Sequence, residues 1–319
     1  MPLWSYFLIG GVLFFLVLPA ILMFVFSPSW VYKAIMTRRK PTHWSREEPS
    51  DRNNPDMLYM WDEALRFRKE NKDKEEEFSV TTSDGLKIAS LYFDFGSEDA
   101  VIIMPGRPES CIYSLFYAYP YAAKGINVCA IDARAHGLSE GNDSGVGYKE
   151  QEDIMAVLSY LINVKKVKRV LFHGICVGCS SLSYVAARED CPKEVKGLFT
   201  DGMYITFYET LRHRIAKAKG PVPIVLASFR RIIKKKYGID IKNEGPITNV
   251  PKIHLPVQMI ASKEDIFSLP KYTELLYETL ASEDKKLEWW EHGKHSHLRR
   301  VDPTHYDQVV SDFVDHVLK

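Results

Sequence analysis

The chain has 319 residues, a formal net charge of +1 and 46% hydrophobic residues, enough for one large α/β domain or two small ones with a sizeable core. Balanced charge leaves no electrostatic footprint for a nucleic-acid partner. Five cysteines, an odd count without scaffold spacing, argue against a disulfide-stapled secreted domain.

Leu3 to Phe26 is a run of 24 residues without a charge, "LWSYFLIGGVLFFLVLPAILMFVF". About 20 apolar residues match the bilayer hydrocarbon, so residues 1–32 are expected to form a transmembrane anchor. A cleaved signal peptide would start basic and end in a small-x-small site, and neither is present. Lys33, Arg38, Arg39 and Lys40 follow the apolar run. The positive-inside rule then places the rest of the chain on the cytoplasmic side of a single-pass membrane protein.

Residues 33–76 read as a juxtamembrane linker with one amphipathic stretch near "MLYMWDEALRF". From residue 77 the pattern becomes regular. "EFSVTT" and "LKIASLYFDF" alternate around "SDG", which predicts a hairpin. "AVIIMPG", "INVCAIDARA", "VKRVLFHGIC", "VKGLFTDGMY" and "PVQMIASKED" are continuously apolar, as strands of a parallel sheet buried on both faces must be. Helical segments lie between them, notably "YKEQEDIMAVLSYLINV" and "SLSYVAARE". The fold class is therefore α/β, a doubly wound and mostly parallel sheet over residues 77–319. A short helical cap is expected around 204–250, between the sixth and seventh strands of the sheet. Its "GPVPIVLASF" is a candidate lining for an acyl pocket, and its basic run "RRIIKKK" reads as a solvated helix face.

The chemistry concentrates at Gly174-Ile175-Cys176-Val177-Gly178, where an apolar strand runs into a small-residue helix start. This is the setting of a nucleophile elbow, usually G-x-S-x-G. Flanking glycines allow the tight turn, and the helix amino terminus favours negative charge on the nucleophile. The Cys176-x-x-Cys179 spacing also raises redox and zinc readings. Zinc would need two further ligands at suitable spacing, and the glycine-flanked turn explains the stretch better than a redox pair does. No cofactor or metal is expected. Asp265 follows a predicted strand, with Glu264 beside it as a reserve acid, and His292, His295 and His297 follow one strand later. Nucleophile, acid and histidine in that order is the α/β-hydrolase order. The loop "IIMPGRPES" and the residue after Cys176 would supply oxyanion N–H groups from Arg107 and Val177.

Taken together, "DARAHGLSEG", "GVGYKEQEDIMAVLSYL", "VKGLFTDGMY" and "GKHSHLRRVDPTHYDQVVSDFV" resemble a family of membrane-anchored bacterial α/β-hydrolases, serine aminopeptidase-like and Bem46-like, from about Glu77 to the carboxyl terminus. The resemblance implies an α/β-hydrolase fold, His295 as the catalytic histidine and Asp265 as its acid. Two positions depart from the family: Cys176 stands where serine is usual, and "MPGRPE" replaces a His-Gly start to the oxyanion loop. Dienelactone hydrolases, of similar fold, use cysteine at this place. The expectation is a membrane-tethered hydrolase of esters or thioesters acting on a small-molecule or lipidic acyl substrate through Cys176, His295 and Asp265. The alternative is a non-catalytic binding or scaffold protein that keeps the fold.

Overall fold

The structure, a computed structural model, describes residues 30, 32–38 and 44–319. The apolar run Leu3–Phe26 lies outside the described residues; among those described, no helix is long and apolar enough to cross a membrane.

Helix α1 (Pro55–Glu70) starts as its sequence dictates. Asn54 Oδ1 accepts from the Asp56 N–H at 3.1 Å, and Pro55 occupies the first turn, where its missing donor costs nothing. Its apolar face buries Met57, Met60, Trp61, Ala64 and Phe67. Strands β1 (Glu75–Thr81) and β2 (Lys87–Phe93) form the predicted hairpin, in register from Glu75 opposite Phe93 to Thr81 opposite Lys87. There follow β3 (Asp99–Met104), β4 (Asn127–Ile131), α2 (Glu150–Asn163), β5 (Arg169–Ile175), α3 (Val177–Ala186) and β6 (Val195–Asp201). After the cap come β7 (Val257–Ser262), α6 (Pro270–Thr279), β8 (Lys285–Trp290) and α7 (Pro303–Val317).

One eight-stranded sheet results, in the order β1-β2-β4-β3-β5-β6-β7-β8. The pairs β1–β2 and β2–β4 are antiparallel, and every other neighbouring pair is parallel. Alternation along each central strand explains why its sequence is apolar throughout. Val101, Ile103, Leu171 and Phe199 face one way, into a core closed by α1 and α7. Ala100, Ile102, Phe172 and Leu198 face the other way, into a core closed by α2, α3 and α6. Because β3 and β5 to β8 all run parallel, their carboxyl ends meet at one edge. The loops leaving that edge carry the candidate site.

The cap occupies the connection from β6 to β7. Helix α4 (Phe207–Lys217) is capped by Thr206, whose Oγ1 accepts from the Glu209 N–H, and α5 (Val222–Tyr237) ends at Gly238 in the left-handed region. Its apolar residues pack inward. Leu226, Phe229 and Ile233 bury against Phe207, Leu211, Tyr32 and Met36 in a third core. An amphipathic helix this short must spend its apolar face on packing to stay folded.

Candidate active site

Between β5 and α3 the backbone turns through Cys176 at φ 52°, ψ −111°. A non-glycine residue there costs about 1–3 kcal/mol and persists only where its neighbours over-determine it. They do: the Cys176 N–H donates to Asp201 O at 2.9 Å, and its carbonyl accepts from the Cys179 N–H at 3.1 Å. The flanking glycines are a packing requirement. A Cβ at Gly178 would lie 2.1 Å from Met104 O, and one at Gly174 would lie 2.5 Å from Cys179 Cα. The helix therefore starts pressed against β3 and β5, and the Cys176 side chain is left partly exposed. Cys179, one turn on, is fully buried, with Sγ directed at Gly174 O and Asp201 O.

Asp265, in the loop after β7, is held by the Phe267 and Ser268 N–H groups, both on Oδ1 at 2.7 and 2.8 Å. Its other oxygen meets His295 Nδ1 at 2.7 Å. The His295 loop is fixed from two sides: Tyr117 donates to Ser296 O at 2.7 Å, and Ser262 Oγ donates to Gly293 O at 2.6 Å. The Phe267 ring packs on the imidazole with centroids 5.2 Å apart. His295 Nε2 is buried without a completed hydrogen bond. Burial alone would lower the imidazole pKa. The nearby Cys176 and Asp265 charges, with hydrogen bonding, outweigh it and hold the pKa well above the usual value. The arrangement favours the imidazolium form of His295.

The loop after β3 runs Pro105-Gly106-Arg107-Pro108-Glu109 and includes a cis Arg107–Pro108 peptide. The Gly106 N–H donates to Glu109 Oε2 at 3.1 Å. Among the described residues, the Arg107 N–H donates to no protein acceptor. Val177, first residue of α3, has no acceptor one turn earlier in its helix. The Arg107 side chain leaves in another direction. Nη1 donates to Ile35 O, Nε is buried without a partner, and burial, with Arg214 nearby, lowers the guanidinium pKa to about 10.

Two carboxyl groups that sequence patterns did not single out complete the site. A Cβ placed on Gly106 would sit 3.2 Å from Glu109 Oε2 and 3.3 Å from Cys176 Cβ. The Glu109 carboxyl therefore faces Cys176 across Gly106, and burial raises its pKa to about 7. Asp201, at the end of β6, lies behind the elbow. Its carboxylate accepts from Tyr306 Oη at 3.2 Å, and Tyr306 also meets His173 Nε2 at 3.1 Å, whose Nδ1 meets Tyr121 at 3.1 Å. Burial raises the Asp201 pKa to about 7 and lowers that of His173 to about 3. The only sequence signal for either acid was position: one in the loop after β3, the other at the carboxyl end of a strand.

An open cleft of about 560 Å³ is lined by Cys176, His295, Arg107, Glu109, Phe267 and Met57 among others. It brings together Cys176, His295 and the Asp265 loop with Arg107, one of the two residues expected at the oxyanion position; Val177, the other, is buried in the cap core. Of the other histidines, His297 lines the cleft and His292 is exposed on Glu264, with Nδ1 to Oε1 at 3.0 Å. His136 is buried and stacked on Trp44, with centroids 4.5 Å apart. Among the described residues, no group of three or more His, Cys, Asp or Glu is placed to hold a metal ion.

No family model matches the chain. A protein of Bacillus subtilis (strain 168), the uncharacterized protein YqkD, is 28% identical over 225 residues, 69% of this chain and 72% of that protein. Among solved structures, the Pyrococcus furiosus esterase Pf2001 superposes with a TM-score of 0.64 at 21% identity, over 79% of this chain and 96% of that one. A putative hydrolase from Agrobacterium vitis S4 gives 0.58 at 18% identity, over 77% and 99%. Mouse alpha/beta hydrolase domain-containing protein 10 gives 0.55 at 17% identity, over 76% and 98%. The strand order, the strained elbow between β5 and α3, and these likenesses together establish that the chain has the α/β-hydrolase fold.

Proposed function

We propose that the protein is a membrane-tethered hydrolase that cleaves ester or thioester bonds through an acyl-enzyme on Cys176. The observation that carries this reading is the Asp265–His295 pair, whose imidazole interacts with Cys176 on a strained elbow. In the first step the Cys176 sulfur attacks the acyl carbon, and the carbonyl electrons move onto oxygen. The Arg107 and Val177 N–H groups are the donors for that oxyanion. The carbonyl re-forms as the leaving alkoxide or thiolate departs, taking a proton from the His295 imidazolium. His295 then accepts a proton from water as the hydroxyl attacks the thioester, and the carboxylic acid leaves Cys176 as thiolate. Asp265 holds the imidazole tautomer and balances its charge throughout. A thiolate leaves a tetrahedral intermediate more easily than an amide nitrogen does, so activated acyl groups suit this nucleophile better than amides.

The purified protein assayed on a panel of acyl esters and thioesters is the test. Cys176→Ala is expected to lower kcat/KM by about 10³-fold or more and to abolish labelling by a thiol-directed acylating reagent. Cys176→Ser should retain some esterase turnover. No turnover across the panel, with an unchanged biological effect of His295→Ala, would instead favour a binding or scaffold role. The tether rests on the uncharged run Leu3–Phe26 and the basic residues after it. The full chain is expected to stay with membranes through alkaline carbonate washing, and its release would remove the tether from the reading.

A further inference from the structure

Charge is distributed unevenly between the cap and the rest of the chain. From Gly202 to Gly245 there are ten Lys and Arg against three Asp and Glu, in a chain whose net charge is only +1. Much of the excess lies on α5. Its inward face buries Leu226, Phe229 and Ile233, while Ala227, Arg231, Lys234 and Lys235 are exposed. Those four positions are spaced i, i+4, i+7 and i+8, so they form one stripe along the helix. Lys236 is drawn aside to Asp143 and Arg230 to Asp240. Among the described residues no carboxylate pairs with Arg231, Lys234 or Lys235.

The second observation is where the chain before the domain attaches. Tyr32 and Met36 are built into the cap core, and the Tyr32 ring lies 5.4 Å from that of Phe229 on α5. Tyr32 Oη donates to Asp143 at 2.5 Å, the carboxylate that also pairs with Lys236. The Met36 carbonyl accepts from the Ser144 N–H at 2.9 Å, and Thr37 bridges to Asp143. Residues 32–38 are thereby fastened along α5, with Trp30 beside them 70% exposed and Lys33 also exposed. The apolar run ends at Phe26, four residues before Trp30, a reach of at most about 14 Å.

We propose that the basic stripe of α5, Arg231, Lys234 and Lys235, docks on the anionic headgroups of the bilayer that holds the amino-terminal run. The tether by itself sets only distance; the stripe adds orientation. A polybasic helix face close to the end of an apolar run is attracted to an anionic surface and falls out of reach within about 10 Å of salt-screened water. The exposed Trp30 indole suits the interfacial layer between the two. With the stripe down, the cap is held at the headgroup layer and the amino edge of the sheet points away from it. The solvated helix face read from the sequence thus becomes an interaction surface.

This inference rests on the tether proposed above, and the experiment separates the two. The full chain, carrying Cys176→Ser and Cys191→Ser to clear accessible thiols, is placed in lipid nanodiscs with a nitroxide at Ala227→Cys. A second sample carries the label at Asp315→Cys, exposed near Asp99 at the opposite edge of the sheet. Collisional access of a water-soluble nickel complex to position 227 is expected to fall about threefold or more when roughly 30% phosphatidylglycerol replaces phosphatidylcholine, with position 315 unchanged. R231E/K234E/K235E should restore access in the anionic discs, and the milder R231Q/K234Q/K235Q should restore part of it. Equal access at 227 in both lipids, with the chain in the discs, would overturn the docking and leave the tether standing. A chain that does not enter the discs removes the tether and the docking together.

Discussion

At the scale of single residues, the site depends on charges that a small change in environment reverses. Cys176 and Asp265 flank the His295 imidazole, and Asp265 Oδ2 meets its Nδ1 at 2.7 Å. The neighbouring charges hold His295 protonated against the cost of burial. Glu109 adds a second control. Burial favours its neutral form, so it is an acid below about pH 7 and a carboxylate above. Ionised, it sets a negative charge across Gly106 from Cys176, where the proposed mechanism forms an oxyanion. We expect kcat/KM to fall as pH rises through about 7, and Glu109→Gln to remove that fall; pH–rate profiles of the two proteins check this. An identical basic limb in the variant would assign it to another group.

At the scale of elements, the elbow works because α3 is pressed onto β3 and β5 with no room for side chains. Gly178→Ala would drive a methyl into the Met104 carbonyl at 2.1 Å. Either α3 moves or β3 does, and each shift moves Cys176. The expected cost is about 2–3 kcal/mol or more, read as a lower urea midpoint at unchanged slope. Gly202, after β6, obeys the same logic from the other side: a Cβ there would lie 2.9 Å from Ser296 Oγ and 3.0 Å from His295 Cε1. Such positions look like ordinary loop glycines in a sequence. Their meaning comes from the neighbouring element.

At the scale of the whole molecule, three cores carry different loads. Two large ones cover the faces of the sheet, and the smaller third joins the cap to residues 32–36. The central strands β3, β4 and β5 are almost wholly buried, whereas α4 buries only Phe207 and Leu211. Local opening free energy follows buried apolar contact. Amide hydrogen exchange is therefore expected to be slowest in β3 to β6, and faster by orders of magnitude in α4 and α5. Equal protection of cap and sheet would contradict this division.

The sequence by itself determined the strands, the hairpin and the order of Cys176, Asp265 and His295, because each is written in local periodicity or in the chemistry of a turn. Its continuous apolar strands demanded a parallel sheet covered on both faces, and parallel strands bring their carboxyl ends to one edge. Only the tertiary structure decided which buried acids join that edge. Glu109 reaches the elbow from the loop after β3 and Asp201 from the end of β6, paired with Ile175, and the residues around them do not say which neighbours they meet. The same holds for α5. Its pattern does not say what its apolar face meets, and packing against Tyr32 and Met36 places Leu226, Phe229 and Ile233 in a core and turns the basic stripe outward. Contacts between segments far apart in the chain carry no local signature, so only the folded chain could reveal them.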